Sequence, residues 1–427
     1  MIARLRGLAF RRPAAGRGAG QGAGRRGLGR LALAGLAFAG LASGGLATRA
    51  AQAETVRFWY HVDNPENPMT SLVQKFQAAH PGITIQAENV PWNSYYDNLY
   101  TALVGGNAPD AAMVKLFAQP RLVEMEALEP LDARIAQWPG KADLLDNLLK
   151  LNAGPNGKQY YLPVQYVVLY LYYRTDLFQA AGLQPPRTCD EFRAAAKALT
   201  QAPDRYGFGF RGGKGGWDQW GSFVFSRGAS LTKGGLTSPQ AVAANQWLLD
   251  MFQKDKSIPP SAPNDGFQEI VGAFKSGRTA MTIHHIGSAN DLVAALGDKV
   301  SAVPVPSCDG KAWTSYGDES LAIFSASRVK DAAWKWISFL AEGENNAAFI
   351  KATGQLPVTR SASASWTGHP KRFVDATVAS LPFAAVLPQN SATADFVNTE
   401  WQTAMQQALT GRITSQQMMT QLEQPFR

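Results

Sequence analysis

Cysteine is almost absent: the 427 residues contain two. That excludes a disulfide-dense scaffold and leaves two options, one bond between Cys189 and Cys308 or two separate thiols. Charge is also sparse, at 17% against 45% hydrophobic residues. Such a chain can bury a sizeable core, and global disorder is ruled out. Its length suits two or three domain-sized units, or one large two-lobed unit. Beyond residue 53 there is no repeat of short fixed period and no low-complexity segment.

Acidic residues are missing from the first 53 positions. The same stretch holds nine of the 41 basic residues: Arg4, Arg6, Arg11, Arg12, Arg17, Arg25, Arg26, Arg30 and Arg49. Residues 54–427 therefore carry 32 basic against 33 acidic side chains, a net −1 inside a total of +8. A basic total would point to nucleic acid or an acidic membrane. Here the excess belongs to the N-terminal extension, and no nucleic-acid partner is expected.

That extension has the order of a secretory signal peptide. Residues 1–30 are rich in Arg and Gly, 31–46 are apolar, and Ala51-Gln52-Ala53 is a small-x-small site. Cleavage is expected after Ala53. The apolar run is Gly-interrupted and short for a membrane span, which needs about 20 residues; an uncleaved anchor is the alternative. Arg25-Arg26-Gly27-Leu28 resembles a twin-arginine signal, but the full pattern is incomplete, so both export routes stay open. No cysteine at the cleavage point suggests a lipid anchor.

Enzyme signatures are lacking too. The chain has no G-x-S-x-G, no H-E-x-x-H and no G-x-x-x-x-G-K-[ST]. Gly212-Gly213-Lys214-Gly215-Gly216 is Gly-rich without the P-loop order. His284-His285 lacks nearby ligands at metal-binding spacing, so no metal and no cofactor are expected.

What is present alternates. Residues 55–60 (TVRFWY) read as a strand, 69–80 as a helix stopped by Pro81-Gly82, and 83–87 as a strand. A helix over 92–104 and a strand over 111–114 follow. Residues 164–173 are too continuously apolar for an exposed strand. Helices are expected over 189–199, 240–252, 267–274 and 332–340, strands over 279–283 and 320–324, and a helical tail over 396–422 broken at Gly411. Alternating strands and helices imply an α/β sheet.

A series of short motifs runs through this pattern in a fixed order. It comprises Gly106-Asn107-Ala108-Pro109-Asp110, Asn156-Gly157-Lys158-Gln159-Tyr160-Tyr161-Leu162-Pro163, Leu171-Tyr172-Tyr173-Arg174-Thr175-Asp176-Leu177-Phe178 and Pro186-Arg187-Thr188-Cys189-Asp190-Glu191-Phe192. Then come Phe274-Lys275-Ser276-Gly277-Arg278-Thr279-Ala280-Met281, Ser320-Leu321-Ala322-Ile323 with Ala332-Ala333-Trp334, and Thr353-Gly354-Gln355-Leu356-Pro357-Val358. Their joint order resembles the extracellular solute-binding proteins of sugar ABC importers, the group of maltose-binding protein. Arg174 stands where the family has Asn, and Cys189 where it has Trp.

The resemblance implies an α/β, two-lobed periplasmic-binding-protein fold of type II, with the ligand in a cleft between lobes joined by hinge segments. The expected lobes are 54–163 with 319–380 and 164–318 with 381–427. Crossings are expected near 163–166, 314–318 and 381–388. It further implies a Gram-negative periplasm, a monomer, and delivery of the ligand to permease subunits at the inner membrane.

A neutral sugar needs donors and acceptors for its hydroxyls and plates for its C–H faces. Both occur in the loops that would face such a cleft. His61, Asp63 and Asn64 follow the first strand, at the strand end where open α/β sheets bind ligands. Trp92 follows the second strand; Lys115 and Phe117 follow the third. Gln165 and Tyr166 sit at the first crossing. Trp217 and Trp220 lie in a Gly-rich loop, and His284 and His285 end a strand. Tyr316, Asp318 and Glu319 precede the return strand, and Arg360 follows Leu356-Pro357. Each has a plainer reading. Asp63-Asn64-Pro65 can be only a turn, the tryptophans only packing, and Lys115 a solvated charge.

The family has glycines near Asp318-Glu319 and an aromatic near Gly287, so this chain departs from it at both. Two carboxylates favour a polyhydroxy neutral ligand. The expected function is therefore capture of a neutral mono- or oligosaccharide or polyol without catalysis. The alternatives are a glycerol 3-phosphate or organophosphate binder of the same fold, and a secreted carbohydrate-active enzyme. The latter would need two carboxylates flanking a bond, whereas sequence neighbours on an extended segment point apart.

Overall fold

The computed structural model describes residues 53–62, 67–145, 148–364, 366 and 368–427. The signal-peptide reading of the first 52 residues and the candidates Asp63 and Asn64 lie outside them.

The described residues hold a mixed sheet of ten strands. These are β1 (Glu54–Tyr60), β2 (Ile83–Asn89), β3 (Ala111–Val114), β4 (Leu162–Arg174), β5 (Tyr206–Gly209), β6 (Thr279–His285), β7 (Val300–Val303), β8 (Thr314–Ile323), β9 (Leu356–Pro357) and β10 (Ala384–Ala385). The main path runs β2-β1-β3-β8-β4-β6-β5. β1 pairs in parallel with β2 and β3. β5 and β6 are also parallel.

β4 and β8 join the two sides. β4 pairs with β8 over Leu162–Val168, then with β6 over Leu169–Tyr173 and with β7 over Leu171–Arg174. β8 pairs with β10 at Thr314 and Ser315, with β4 at 316–321 and with β3 at Ser320–Ile323. Reading the strand only from Ser320 was thus too short. The polar run Tyr316-Gly317-Asp318-Glu319 is strand as well, because it pairs with Gln165–Val168 of β4. The three expected crossings come together here.

Among the described residues one buried cluster runs from Trp59 and Tyr95 beside β1 to Phe192 and Trp220 beside β5, and two others lie beside β1 and β7. Beside β1, Trp336 of the helix Lys330–Ala341 meets Phe58 at 5.6 Å and Phe76 at 5.2 Å, both edge-on. Beside β5, Phe192, Phe208 and Phe223 pack together. The helix holding Phe192, Cys189–Ala198, starts where the pattern predicts. Thr188 and Glu191 close a capping box around its first turn, which satisfies orphan N–H groups. Beside β7, Phe373 of the helix Lys371–Ser380 packs on Tyr172 at 5.7 Å.

Residues 217–224 form a helix rather than a continuation of the Gly-rich loop. The tail is helical over Ser391–Asp395, Trp401–Leu409 and Ser415–Glu423, with a π-turn at Phe396–Glu400. No helix among the described residues is long and apolar enough to cross a membrane.

Cys189 and Cys308 form a disulfide, with Cα atoms 5.1 Å apart and a sequence separation of 119. Closing so long a loop removes much entropy from the unfolded chain, about 2–4 kcal/mol by the usual scale. A Cys189→Ser/Cys308→Ser double variant should lose that much unfolding free energy and so unfold at a lower urea midpoint, and reductant should do the same to the parent protein. Equal midpoints in all three samples would show that the bond contributes nothing.

Candidate functional site

β3 stops at Val114 while β8 runs on, so the chain beyond β3 peels away from the β8 carboxylates. Leu116 N–H now donates to the Asp318 side chain, Oδ1, at 2.8 Å. Lys115 N–H donates to Tyr96 Oη at 2.7 Å, which aims its side chain back over β8. There Lys115 Nζ bonds Glu319 Oε1 and stands 5.1 Å from the centre of the Trp92 ring. His61 Nε2 approaches Glu319 Oε2 to 3.0 Å, a charge contact without aligned hydrogen-bond geometry. Trp92 and Tyr95 wall the His61 ring, each at 4.9 Å.

Glu319 is 4% exposed. Burial alone would raise its pKa, but the charges of His61 and Lys115 more than offset that and hold the carboxyl below its usual range. Asp318 behaves differently. Burial pushes it up to about 6 against the pull of Leu116 N–H and Lys115. Ser320 Oγ stands 2.8 Å from Asp318 Oδ2 and 3.0 Å from Asn152 Oδ1, and its one proton cannot serve both acceptors. A protonated Asp318 removes the conflict.

The other wall begins on the helix Trp217–Val224. Gln219 accepts from Arg211 N–H at 2.9 Å and donates to Ile283 O at 2.6 Å, stitching this helix to β6. Trp217 and Asp218 then face inward. Burial raises the Asp218 pKa, with the Arg211 charge opposing. At the end of β6, Gly287 N–H donates to His285 Nδ1 at 3.1 Å, which leaves the ring proton on Nε2. Burial, then repulsion from Lys115 and Arg211, pushes His285 to about 3, so it is a neutral donor. Phe267 stacks on His285 at 6.2 Å with planes 19° apart.

These walls enclose a cavity of about 640 Å³. Of the described candidates, His61, Trp92, Lys115, Phe117, Gln165, Trp217, His285, Tyr316, Asp318 and Glu319 line it. Four do not. Tyr166 lies between Gln165 and Val167, which line the cavity, so strand alternation turns it to the other face, where it stacks on Tyr316 at 5.9 Å. His284 alternates with His285 in the same way and bonds Ser288 Oγ at 3.0 Å. Trp220 is fully buried and donates to Asn245 Oδ1 at 2.8 Å. Arg360 donates to the carbonyls of Ala142 and Leu144.

Sequence reasoning missed Arg211, Phe267, Gln355 and Gln389, which also line the cavity. Phe267 puts a ring beside Gly287 from another element, so the departure there is made up in space. No local sequence signal marks it. The described residues contain no cluster of three or more His, Cys, Asp or Glu able to hold a metal.

Residues 63–347 match the family of bacterial extracellular solute-binding proteins. The chain belongs to that family. It is 28% identical over 294 residues to a putative binding protein of Brucella abortus, covering 67% of this chain and 71% of that one. It is 26% identical over 363 residues to the mannitol-binding protein of Pseudomonas aeruginosa, covering 79% of each. An ABC-transporter solute-binding protein from Thermotoga lettingae, solved with α-D-tagatose, superposes with a TM-score of 0.78 at 24% identity, over 87% of this chain and 98% of that one. The two sides of the sheet are thus the lobes of a binding-protein fold, and the cavity lies between them.

The two buried titrations oppose each other. The folded-state pKa of Asp318, about 6, lies above the ordinary aspartate value of 3.8, so the folded state binds the extra proton and stability falls as pH rises through that window. The folded-state pKa values of His284 and His285 lie below 6.5, so stability falls as pH drops from about 6.5. Asp318→Asn keeps an acceptor for Leu116 N–H and donates to Ser320. It should gain about 2–3 kcal/mol over the parent at pH 8 and nothing at pH 4, measured by denaturant unfolding. A gain independent of pH would contradict this assignment.

Proposed function

We propose that this chain is the solute-binding component of an ABC importer and captures a neutral saccharide or polyol. The observation that carries this reading is a cavity wall with matched charges and spare hydrogen-bonding atoms. Lys115 pairs with Glu319, Lys275 with Asp291 at 2.8 Å, and Arg211 lends its charge to Asp218. Lys351 also lines the cavity, so four Lys and Arg side chains face four Asp and Glu side chains, and an anion would find little surplus of positive charge, which disfavours the organophosphate alternative. Gln389 Oε1 is buried in the wall without a hydrogen-bond partner among the described residues. With His285 Nε2–H it suits ligand hydroxyls. Trp92, Phe117, Trp217 and Phe267 supply rings for C–H faces. The mannitol-binding relative and the tagatose-bound structural neighbour support a small polyhydroxylated ligand.

The reading extends to the protein's further roles. The protein catalyses nothing and works as a monomer in the periplasm after cleavage behind Ala53. It hands its ligand to permease subunits at the inner membrane. Residues 54–163 with 319–370 form the first lobe in this reading, and 164–318 with 371–427 the second. The packing of Lys371–Ser380 on β4 and β7 supports moving that helix from the first lobe, where the sequence put it, to the second. Closure is a population shift driven by contacts to both lobes at once.

A thermal-shift screen of residues 54–427 against mannitol, D-tagatose, maltose, maltotriose and glycerol 3-phosphate tests this. At least one neutral compound should raise the midpoint, the phosphate ester should not, and every sugar should be recovered unchanged. Trp217→Ala should weaken binding by about 1–2 kcal/mol with the ligand-free midpoint unaltered. A shift with glycerol 3-phosphate alone, or conversion of a sugar to product, would overturn the proposal.

A further inference from the structure

The glycine-rich run at 212–216 meets the cavity only at Gly215, yet its backbone is tightly constrained. Gly215 has φ +85°, and a Cβ on Gly216 would sit 1.6 Å from Arg211 O. Such a loop holds its one long side chain, Lys214, in a fixed place. Lys214 Nζ donates to the backbone carbonyl of Asn93 at 2.7 Å and lies 3.2 Å from Asp97 Oδ2. The lysine side chain is 15% exposed and the aspartate 68%. The lysine stem is thus mostly buried, while both acceptors stand toward solvent.

The two partners come from opposite ends of the sheet. Asn93 and Asp97 follow β2, and Lys214 follows β5, the first and last strands of the path. Along the sheet those strands are six spacings of ~4.8 Å apart, roughly 29 Å. A 2.7 Å bond between their following loops requires the two lobes to lean together over the cavity. Lys214, Asn93 and Asp97 do not line that cavity, but their neighbours Trp92 and Gly215 do.

We infer that Lys214 is a latch between the lobes: it sets ligand affinity through the closed fraction of the protein, without touching the ligand. A binder whose competent state is partly populated has its affinity reduced by that fraction. Deleting a bond made only when the lobes meet lowers the fraction and speeds release. Because the bond ends on a backbone carbonyl, the effect belongs to the ammonium of Lys214 more than to Asp97.

This inference rests on the solute-binding reading, and the test separates the two. Lys214→Ala and Lys214→Met are compared with the parent and with Asp97→Ala. The readouts are the Kd and koff of whichever of mannitol, D-tagatose, maltose and maltotriose binds the parent, the ligand-free melting midpoint, and the ligand-free radius of gyration by solution scattering. Both Lys214 variants should raise Kd roughly 3- to 30-fold, through faster dissociation, at an unchanged melting midpoint. Asp97→Ala should change Kd less. Unaltered Kd in both Lys214 variants overturns the latch, as does a parallel loss of the ligand-free midpoint, which would make Lys214 a packing residue. Should none of the four compounds bind the parent, the saccharide reading fails, and scattering alone decides the latch. A larger radius in the Lys214 variants then supports it, and an equal radius overturns it.

Discussion

The antiparallel pairing of β4 with β8 has to meet two demands at once. Each strand is a ladder partner in both lobes, so neither lobe can move without carrying part of the other's sheet. The segments that lie between the lobes also line the cavity, through Gln165, Val167 and Leu169 on β4 and Ser315–Glu319 on β8. Relative motion must therefore be absorbed where the ligand-facing side chains stand. The register of the ladder already shifts between Pro163 and Gln165, where proline has no N–H to donate. A ladder of this kind allows bending while keeping the order of its strands, which suits a clamp better than a flexible tether would.

The same location explains the electrostatics. Strand ends bring polar groups into a closed space, and an isolated charge there is costly to bury. The walls meet this by pairing carboxylates with cations and by keeping His285 neutral. What is left is a set of directed dipoles with little net charge. Such a lining has no strong preference for ions and a steep one for hydroxyl geometry. Asp318 is the member closest to changing state, because Ser320 and Asn152 give it a reason to carry a proton.

Period and punctuation were legible in the sequence where each acts locally. The strand before Asp63 and the helix after Thr188 were found because β-branched runs and capping residues act within a few positions. Tyr166 and His284 were grouped with their neighbours although an extended chain separates adjacent side chains. The pattern shows that two faces exist but not which one meets the cavity. Trp220 was read as a cleft residue because the glycines before it hid the start of a helix. Its true partner, Asn245, is set by tertiary packing. Phe267 illustrates the converse. Its ring reaches His285 from another element, and adjacency in space leaves no trace in spacing along the chain.

Stiffness is distributed unevenly, and that bears on how the lobes respond. The Cys189–Cys308 bond ties the start of one helix to the segment leading into β8, and Cys189 N–H adds a bond to Ser307 O at 3.0 Å. The second lobe is thus braced immediately before the chain enters its crossing. Its aromatic core, with Trp220 and Trp401 fully buried, adds a packed body that transmits strain instead of absorbing it. Deformation is then confined to the crossing strands. With both lobes rigid and the crossings shared, the free energy favouring closure has to come from contacts made across the cavity, by the ligand and by the few residues at its rim that meet directly.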